Sequence, residues 1–359
     1  MSRATAIDQR ASAVRARRAA TAGGGVPWPW GLGGATALAV AVLAGLGLGP
    51  AGIAPGAIAG ELLSRVPVVR VGQPLSALEA TVLWELRAPR VALGALVGAM
   101  LASAGGAYQA VFRNPLADPY LLGVAAGAGL GATAAIAYAG GGELLPVAAF
   151  AGATVAVTAA YLLGRSVGGR ATATLILAGV AVAAFLTAAQ SFVLQQNAES
   201  VQSVYAWLLG RLSTSGWGDV LTVLPYVAVS LVVIVVHRRV LDVLRVGDEE
   251  AASLGVPVAR VRFVVVAAAT LGTAAAVAVS GLIGFVGIVI PHAVRLLAGS
   301  SYRVVMPLAP VLGAAFLVLA DVVARTALSP AELPIGVVTA FVGAPFFVVV
   351  LRTTRTAGP

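Results

Sequence analysis

Runs of roughly twenty apolar residues, almost free of charge, recur along this chain, separated by short stretches rich in arginine, glycine and proline. A helix of that composition has no polar face to turn toward water, so the runs belong in lipid or in an interior that lipid surrounds. With 59% apolar and only 10% charged side chains, an ordinary soluble enzyme is excluded. The fold class that follows is an all-α polytopic membrane protein. Cutting at charges and turn residues gives about ten transmembrane helices, at 31–51, 91–111, 119–139, 146–164, 172–194, 219–237, 263–281, 284–298, 304–325 and 335–352. The eighth is short for a straight span, and Gly281, Gly284, Gly287 and Pro291 in or beside it predict a broken or partly re-entrant helix.

The arginines orient these spans. With a cytoplasmic N-terminus and alternating helices, one side holds Arg3, Arg10, Arg15, Arg17, Arg18, Arg113, Arg165, Arg170, Arg238, Arg239, Arg245, Arg260, Arg262, Arg295, Arg303, Arg352 and Arg355. The other holds Arg65, Arg70, Arg87, Arg90, Arg211 and Arg325. That bias places both termini in the cytoplasm and accounts for the net charge of +9 without a nucleic acid. Trp28 and Trp30 before the first span, and Trp207 and Trp217 before the sixth, read as interfacial anchors. Residues 1–30 read as a basic cytoplasmic tail, disordered over its first part and too long a lead for a secretory signal. Residues 31–352 form the helical domain, and 353–359 a second cytoplasmic tail.

Several chemistries are absent. There is no cysteine, which excludes disulfides and thiolate metal sites, and His237 and His292 alone do not make a histidine-rich metal site. All 23 basic residues are arginine, so the chain has no Walker A lysine and no nucleotide loop of its own. No cofactor is expected.

One loop stands out within the stretch 240–257. Gly247-Asp248-Glu249-Glu250-Ala251-Ala252-Ser253-Leu254-Gly255-Val256 predicts a short helix with acidic residues on the positive end of its dipole. It would show Ala251 and Leu254 on one face and stop at Gly255 and Pro257. Such a helix suits a groove on a soluble partner.

Small residues four apart, Gly94 with Gly98 and Gly127 with Gly131, predict close helix packing inside one subunit. Gly105-Gly106-Ala107-Tyr108-Gln109 leading to Asn114-Pro115-Leu116 parallels Gly281-Leu282-Ile283-Gly284-Phe285 leading to Ile290-Pro291-His292, the pattern of an internal inverted repeat around a translocation route. Gln109 and Gln190 read as polar contacts between helices, and His292 as a feature of the fold.

Taken in order, these stretches resemble one family. Arg87-Ala88-Pro89-Arg90, Gln109 through Arg113-Asn114-Pro115-Leu116-Ala117-Asp118-Pro119, Leu122-Gly123, Trp207-Leu208-Leu209-Gly210 and the Gly247–Val256 loop are similar to FecCD-type permeases, the membrane subunits of type II ABC importers for ferric siderophores, haem and vitamin B12. The likeness continues through Gly284-Phe285-Val286-Gly287-Ile288-Val289-Ile290-Pro291-His292, Asp321-Val322-Val323-Ala324-Arg325, Glu332-Leu333-Pro334-Ile335-Gly336-Val337-Val338-Thr339 and Gly343-Ala344-Pro345, covering about residues 35–352.

The resemblance implies a ten-helix subunit of the cell membrane that works beside a second permease subunit, with ABC ATPase subunits below and an extracytoplasmic substrate-binding protein above. It implies that Gly247, Asp248, Ala251, Leu254 and Gly255 couple to the ATPase. Arg87, Arg90 and Arg325 would dock the binding protein through acidic side chains, with an internal Asp321–Arg325 pair as the competing reading. Thr172 and Ala173 would form a cytoplasmic gate, with the fifth and tenth helices along the path. The subunit itself would not be an enzyme. A ferric siderophore or related iron chelate is the first expectation for the cargo, with cobalamin or haem as the alternative. Homodimer and heterodimer both remain open. An ion-coupled secondary transporter is a distant alternative, since only Asp321 approaches the acidic mid-membrane residues such a machine needs.

Overall fold

The longest buried element is a continuous helical segment at the centre of the bundle. In the computed structural model, α3 (Ala77–Thr81) passes through a π-helical turn (Val82–Arg87) into α4 (Ala88–Phe112). The described residues are 25–49, 52–64, 75–166, 172–212 and 216–355. Arg3, Arg10, Arg15, Arg17, Arg18, Arg65, Arg70 and Arg170 lie outside them, as do most of the N-terminal tail and residues 356–359.

Before α4 come α1 (Trp28–Gly47) and α2 (Pro55–Ser64). After it follow α5 (Val124–Ala139), α6 (Leu144–Ser166), α7 (Thr172–Gln196), α8 (Val201–Leu208) and α9 (Trp217–Val236). The rest are α10 (Arg238–Leu244), α11 (Asp248–Ser253), α12 (Val258–Ser280), α13 (Val286–Leu297), α14 (Tyr302–Thr326) and α15 (Ile335–Arg355). Among the described residues, α1, the joined α3–α4, α6, α7, α9, α12 and α14 are long and apolar enough to cross a membrane. α5, α13 and α15 are apolar but shorter. The protein is therefore an all-α, multi-pass membrane protein.

The bundle is layered by burial. The central span of α3–α4 has 83% of its apolar window buried, and α12 and α14 pack on it, whereas α7 keeps only 17% buried. An apolar helix left this open inside its own subunit has to face lipid or another protein.

Glycine sets how closely the central helices approach. A Cβ at Gly98 of α4 would collide with the Gly313 carbonyl of α14, and one at Gly313 with the Gly98 carbonyl. Gly127 of α5 and Gly152 of α6 face each other in the same reciprocal way, and Gly131 abuts the Ala148 carbonyl. The small-residue pairs seen in the sequence thus pack helices within the subunit, where backbone proximity supplies dispersion contacts that lipid cannot.

The structure corrects four boundaries or placements. α1 starts at Trp28, directly after Pro27, three residues before the expected start of the first span at 31. The third span starts at Val124 and not at 119, because Asn114 and Asp118 accept the Leu116 and Tyr120 N–H groups at 2.9 and 2.8 Å and hold two turns. Trp207 is buried in the core and is no interfacial anchor, unlike the exposed Trp28. Finally, α15 continues to Arg355, beyond the expected end at 352.

The expected break before α13 is present. Residues 281–285 are not helical, and Phe285 enters α13 with φ +68°. The Tyr120 hydroxyl accepts from Ile283 N–H and donates to the Ile283 carbonyl, both at 3.0 Å, and the Ser280 carbonyl accepts from Arg211 N–H at 2.8 Å. Gly210 and Leu209 carbonyls in turn accept from Ile335 and Gly336 N–H at 3.1 and 3.0 Å. Three interruptions of helical backbone therefore satisfy one another, the condition for tolerating them at membrane depth. The two stretches that parallel each other in sequence also meet, since Gly105 abuts Gly287 and Gln109 Nε2 donates to the Gly287 carbonyl at 3.0 Å. They are not built alike: the first is helical through Phe112, whereas the second starts in the non-helical break.

Candidate functional site

The residues singled out in the sequence gather at the two ends of α4. Arg90 stands at its start and Arg113 at its finish, 23 residues or about 35 Å along a helix.

At the Arg113 end lies α11. Gly247 precedes it with φ +137°, and Asp248, Glu249 and Glu250 occupy its first turn, where the helix dipole favours negative charge. The helix stops at Gly255, whose φ of +80° a residue with a Cβ adopts only under strain. There the Val256 N–H reaches back to the Ala251 carbonyl at 3.1 Å. Asp248 fastens the helix to the bundle: Arg262 of α12 donates to both of its oxygens at 3.1 Å, and Arg113 approaches within 3.7 Å.

One expectation fails here. Ala251 and Leu254 do not share a face, because Ala251 is fully buried against the subunit while Leu254 is 69% exposed. Leu254 still makes the helical hydrogen bond, its N–H reaching the Glu250 carbonyl at 3.2 Å, yet it faces outward with the exposed Glu249, Glu250, Ala252 and Ser253. The exposed surface of this helix is thus Leu254 and the acidic rim, while Ala251 packs into the subunit.

At the other end, Arg90 pairs with Asp321 of α14 at 2.8 Å and with Glu332 at 2.9 Å. Arg325 lies 3.5 Å from the second Asp321 oxygen and donates to the Gly45 carbonyl. Arg87 donates to the carbonyls of Leu46 and Gly47 at 2.8 and 3.0 Å. Two guanidinium groups therefore close the carbonyl end of α1, which has no further helical turn to satisfy it. Arg87 and Arg325 are buried, and of the three only Arg90 with Glu332 reaches the surface. Sequence reasoning could find the Asp321–Arg325 spacing but not the contacts to α1, which bridge 280 residues for Arg325.

Thr172 opens α7 and Ala173 is exposed, while 167–171 fall outside the described residues. Gln109 bridges α4 to the Ala117 and Gly287 carbonyls and accepts from Arg295, the helix-to-helix role expected of it. His292 meets the Phe346 ring edge-on at 5.9 Å. Among the described residues, no group of three or more His, Asp or Glu side chains is placed to hold a metal.

Residues 37–353 match the model of the FecCD transport family. The chain belongs to that family. It is 42% identical over 303 residues to a cobalamin import system permease of Halobacterium salinarum, covering 80% of this chain and 82% of the relative. It is 39% identical over 278 residues to an Fe(3+)-citrate import system permease of Bacillus subtilis, covering 77% and 83%. Among solved structures, a transporter described as of metal-chelate type in an inward-facing conformation superimposes with a TM-score of 0.79 at 29% identity, covering 90% of this chain and 98% of that one. As a FecCD permease, the subunit is a translocation component of a type II ABC importer and does not itself catalyse a reaction.

Proposed function

We propose that the protein forms the translocation path for a bulky metal chelate, and that this cargo is a corrinoid of the cobalamin class before a ferric siderophore. The observation that carries the choice is the 42% identity to the Halobacterium cobalamin permease; an Escherichia coli vitamin B12 permease and the Fe(3+)-citrate permease stand level at 39%. It reverses the order expected from sequence, where iron chelates came first. Haem stands behind both.

The seven long and three shorter apolar helices support a ten-span subunit over 31–352, with the broken α13 as the re-entrant eighth span. An internal inverted repeat rests on the sequence parallel between the two stretches, since their backbones differ. The arginine bias supports cytoplasmic termini and a cytoplasmic α11. On that orientation α11 receives the ATPase subunits through Leu254, Glu249 and Glu250, while Asp248 and Ala251 pass their movement to α12 and α4 as a rigid-body shift. Gly247 and Gly255 hold the two bends. The opposite end receives the substrate-binding protein, with Arg90 presented at the surface and Arg87 and Arg325 holding the α1 end beneath it. The open faces of α7 and α15, with Phe185 and Phe341 each more than 70% exposed, support a second permease subunit across a path gated near Thr172 and Ala173.

Uptake of labelled cobalamin, ferric siderophores and haem in cells with and without the gene tests the reading. Loss of cobalamin uptake alone is expected; loss of iron-chelate uptake alone would restore the siderophore assignment.

A further inference from the structure

A cavity of about 240 Å³ opens beside the α11 end of the bundle, lined by Arg113, Arg245 and Arg295 with Gln109, Ser300 and Tyr302. No carboxylate lines it. The three guanidinium groups come from separate elements: Arg113 ends α4 with φ +51°, Arg245 ends α10, and Arg295 sits in the last turn of α13. A left-handed backbone is uncommon for a residue with a Cβ, so the fold holds Arg113 against a local preference.

The nearby acids are already engaged. Asp242 accepts from Ser301 Oγ at 2.5 Å and Tyr302 N–H at 2.6 Å, and stands off Arg245 at 3.8 Å. Asp248 is held by Arg262 at 3.1 Å and stands off Arg113 at 3.7 Å. Arg245 otherwise donates to the Ser300 carbonyl at 2.8 Å and lies over the Tyr302 ring. Arg295 donates to the neutral Gln109 carbonyl, and its buried Nη1 has no hydrogen-bond partner. Among the described residues Arg295 has no carboxylate within ion-pair distance. A buried guanidinium nitrogen without an acceptor is costly unless an anion completes it.

We propose that this cavity binds a phosphate group. Guanidinium forks match the paired oxygens of a phosphate, and three of them converge on a space large enough for one such group. Arg113 caps the long apolar α4, and Arg245 and Arg295 lie at the same end of the bundle, so both a lipid phosphodiester at the headgroup level and free inorganic phosphate offer the required chemistry. Arg113 also reaches Asp248, which puts the cavity one ion pair from α11. The proposal stands apart from the choice of cargo.

The test has two arms on the purified full chain. In neutral detergent, inorganic phosphate is titrated against chloride at equal ionic strength while the thermal midpoint is followed. In nanodiscs, phosphatidylcholine alone is compared with phosphatidylcholine plus phosphatidylglycerol, and retained lipid is weighed by native mass spectrometry. A rise of about 3 °C or more in the phosphate titration, or selective retention of phosphatidylglycerol in the nanodiscs, supports the site. A response to phosphate alone assigns free phosphate, and retention of phosphatidylglycerol alone assigns the lipid. Arg295→Gln and the more exposed Arg245→Gln should each remove most of the response. No response in either arm, or a full response in both variants, overturns the proposal.

Discussion

Arg90 and Asp321, 231 residues apart, are joined by two guanidinium nitrogens at 3.0 and 2.8 Å from one carboxylate oxygen. The pair ties the start of α4 to the end of α14, and Glu332 and Arg325 extend it on either side. Asp321 is thus the only carboxylate shared by two arginines at this end among the described residues.

Asp321→Asn should therefore destabilise strongly. Its side chain and that of Arg325 are each 3% exposed, and removing one partner of a buried pair costs about 3–5 kcal/mol. Glu332→Gln, at a side chain 41% exposed, should cost about 0–1 kcal/mol. Thermal unfolding of the detergent-purified variants measures both, and equal losses would contradict the network described.

Close helix approach predicts a second contrast. Gly98→Ala forces a methyl group into the Gly313 carbonyl and should cost about 1–3 kcal/mol or more, with reduced yield of folded protein. A Cβ at Gly284 meets nothing within 4 Å, so Gly284→Ala should leave the melting midpoint within about 1 °C of the parent.

At α11, burial separates two effects that the sequence had merged. Leu254→Asp should weaken co-purification with the ATPase and leave thermal stability unchanged, because Leu254 touches solvent. Ala251→Asp should lower both, since an unpaired charge would enter the core. If Leu254→Asp retains the ATPase fully, this surface is not the coupling contact.

Much of this was legible in the sequence for one reason: charge-free runs are long, local and few in meaning. The break at 281–285 was announced by Gly281 and Gly284, and the α11 boundaries by Gly247 and Gly255. What failed depended on partners far along the chain. Nothing near Trp207 signals that it is buried, and nothing near Arg87 signals that it closes α1. Ala251 and Leu254 have helical spacing, yet the bundle covers Ala251 alone and leaves Leu254 exposed, which no local pattern signals.

Asp118 offers a pH signature. In the loop between α4 and α5, desolvation pushes its carboxyl from 3.8 up to about 6, against the pull of the Tyr120 N–H at 2.8 Å. The folded state then holds the proton more tightly than the unfolded chain, so stability should rise as pH falls through about 6 toward 4. Asp118→Asn keeps an acceptor for Tyr120 and should flatten that slope while melting higher at neutral pH. An unchanged slope in the variant would assign the pH dependence to other groups.

The central claim is that an ATPase drives import through this subunit. It is tested most directly by following labelled cobalamin uptake in cells carrying the chain while ATP is depleted with the proton gradient maintained, and while the gradient is collapsed with ATP maintained. The account predicts that uptake stops in the first condition and persists in the second. Uptake that survives ATP depletion and stops with the gradient would contradict it and make the protein an ion-coupled transporter.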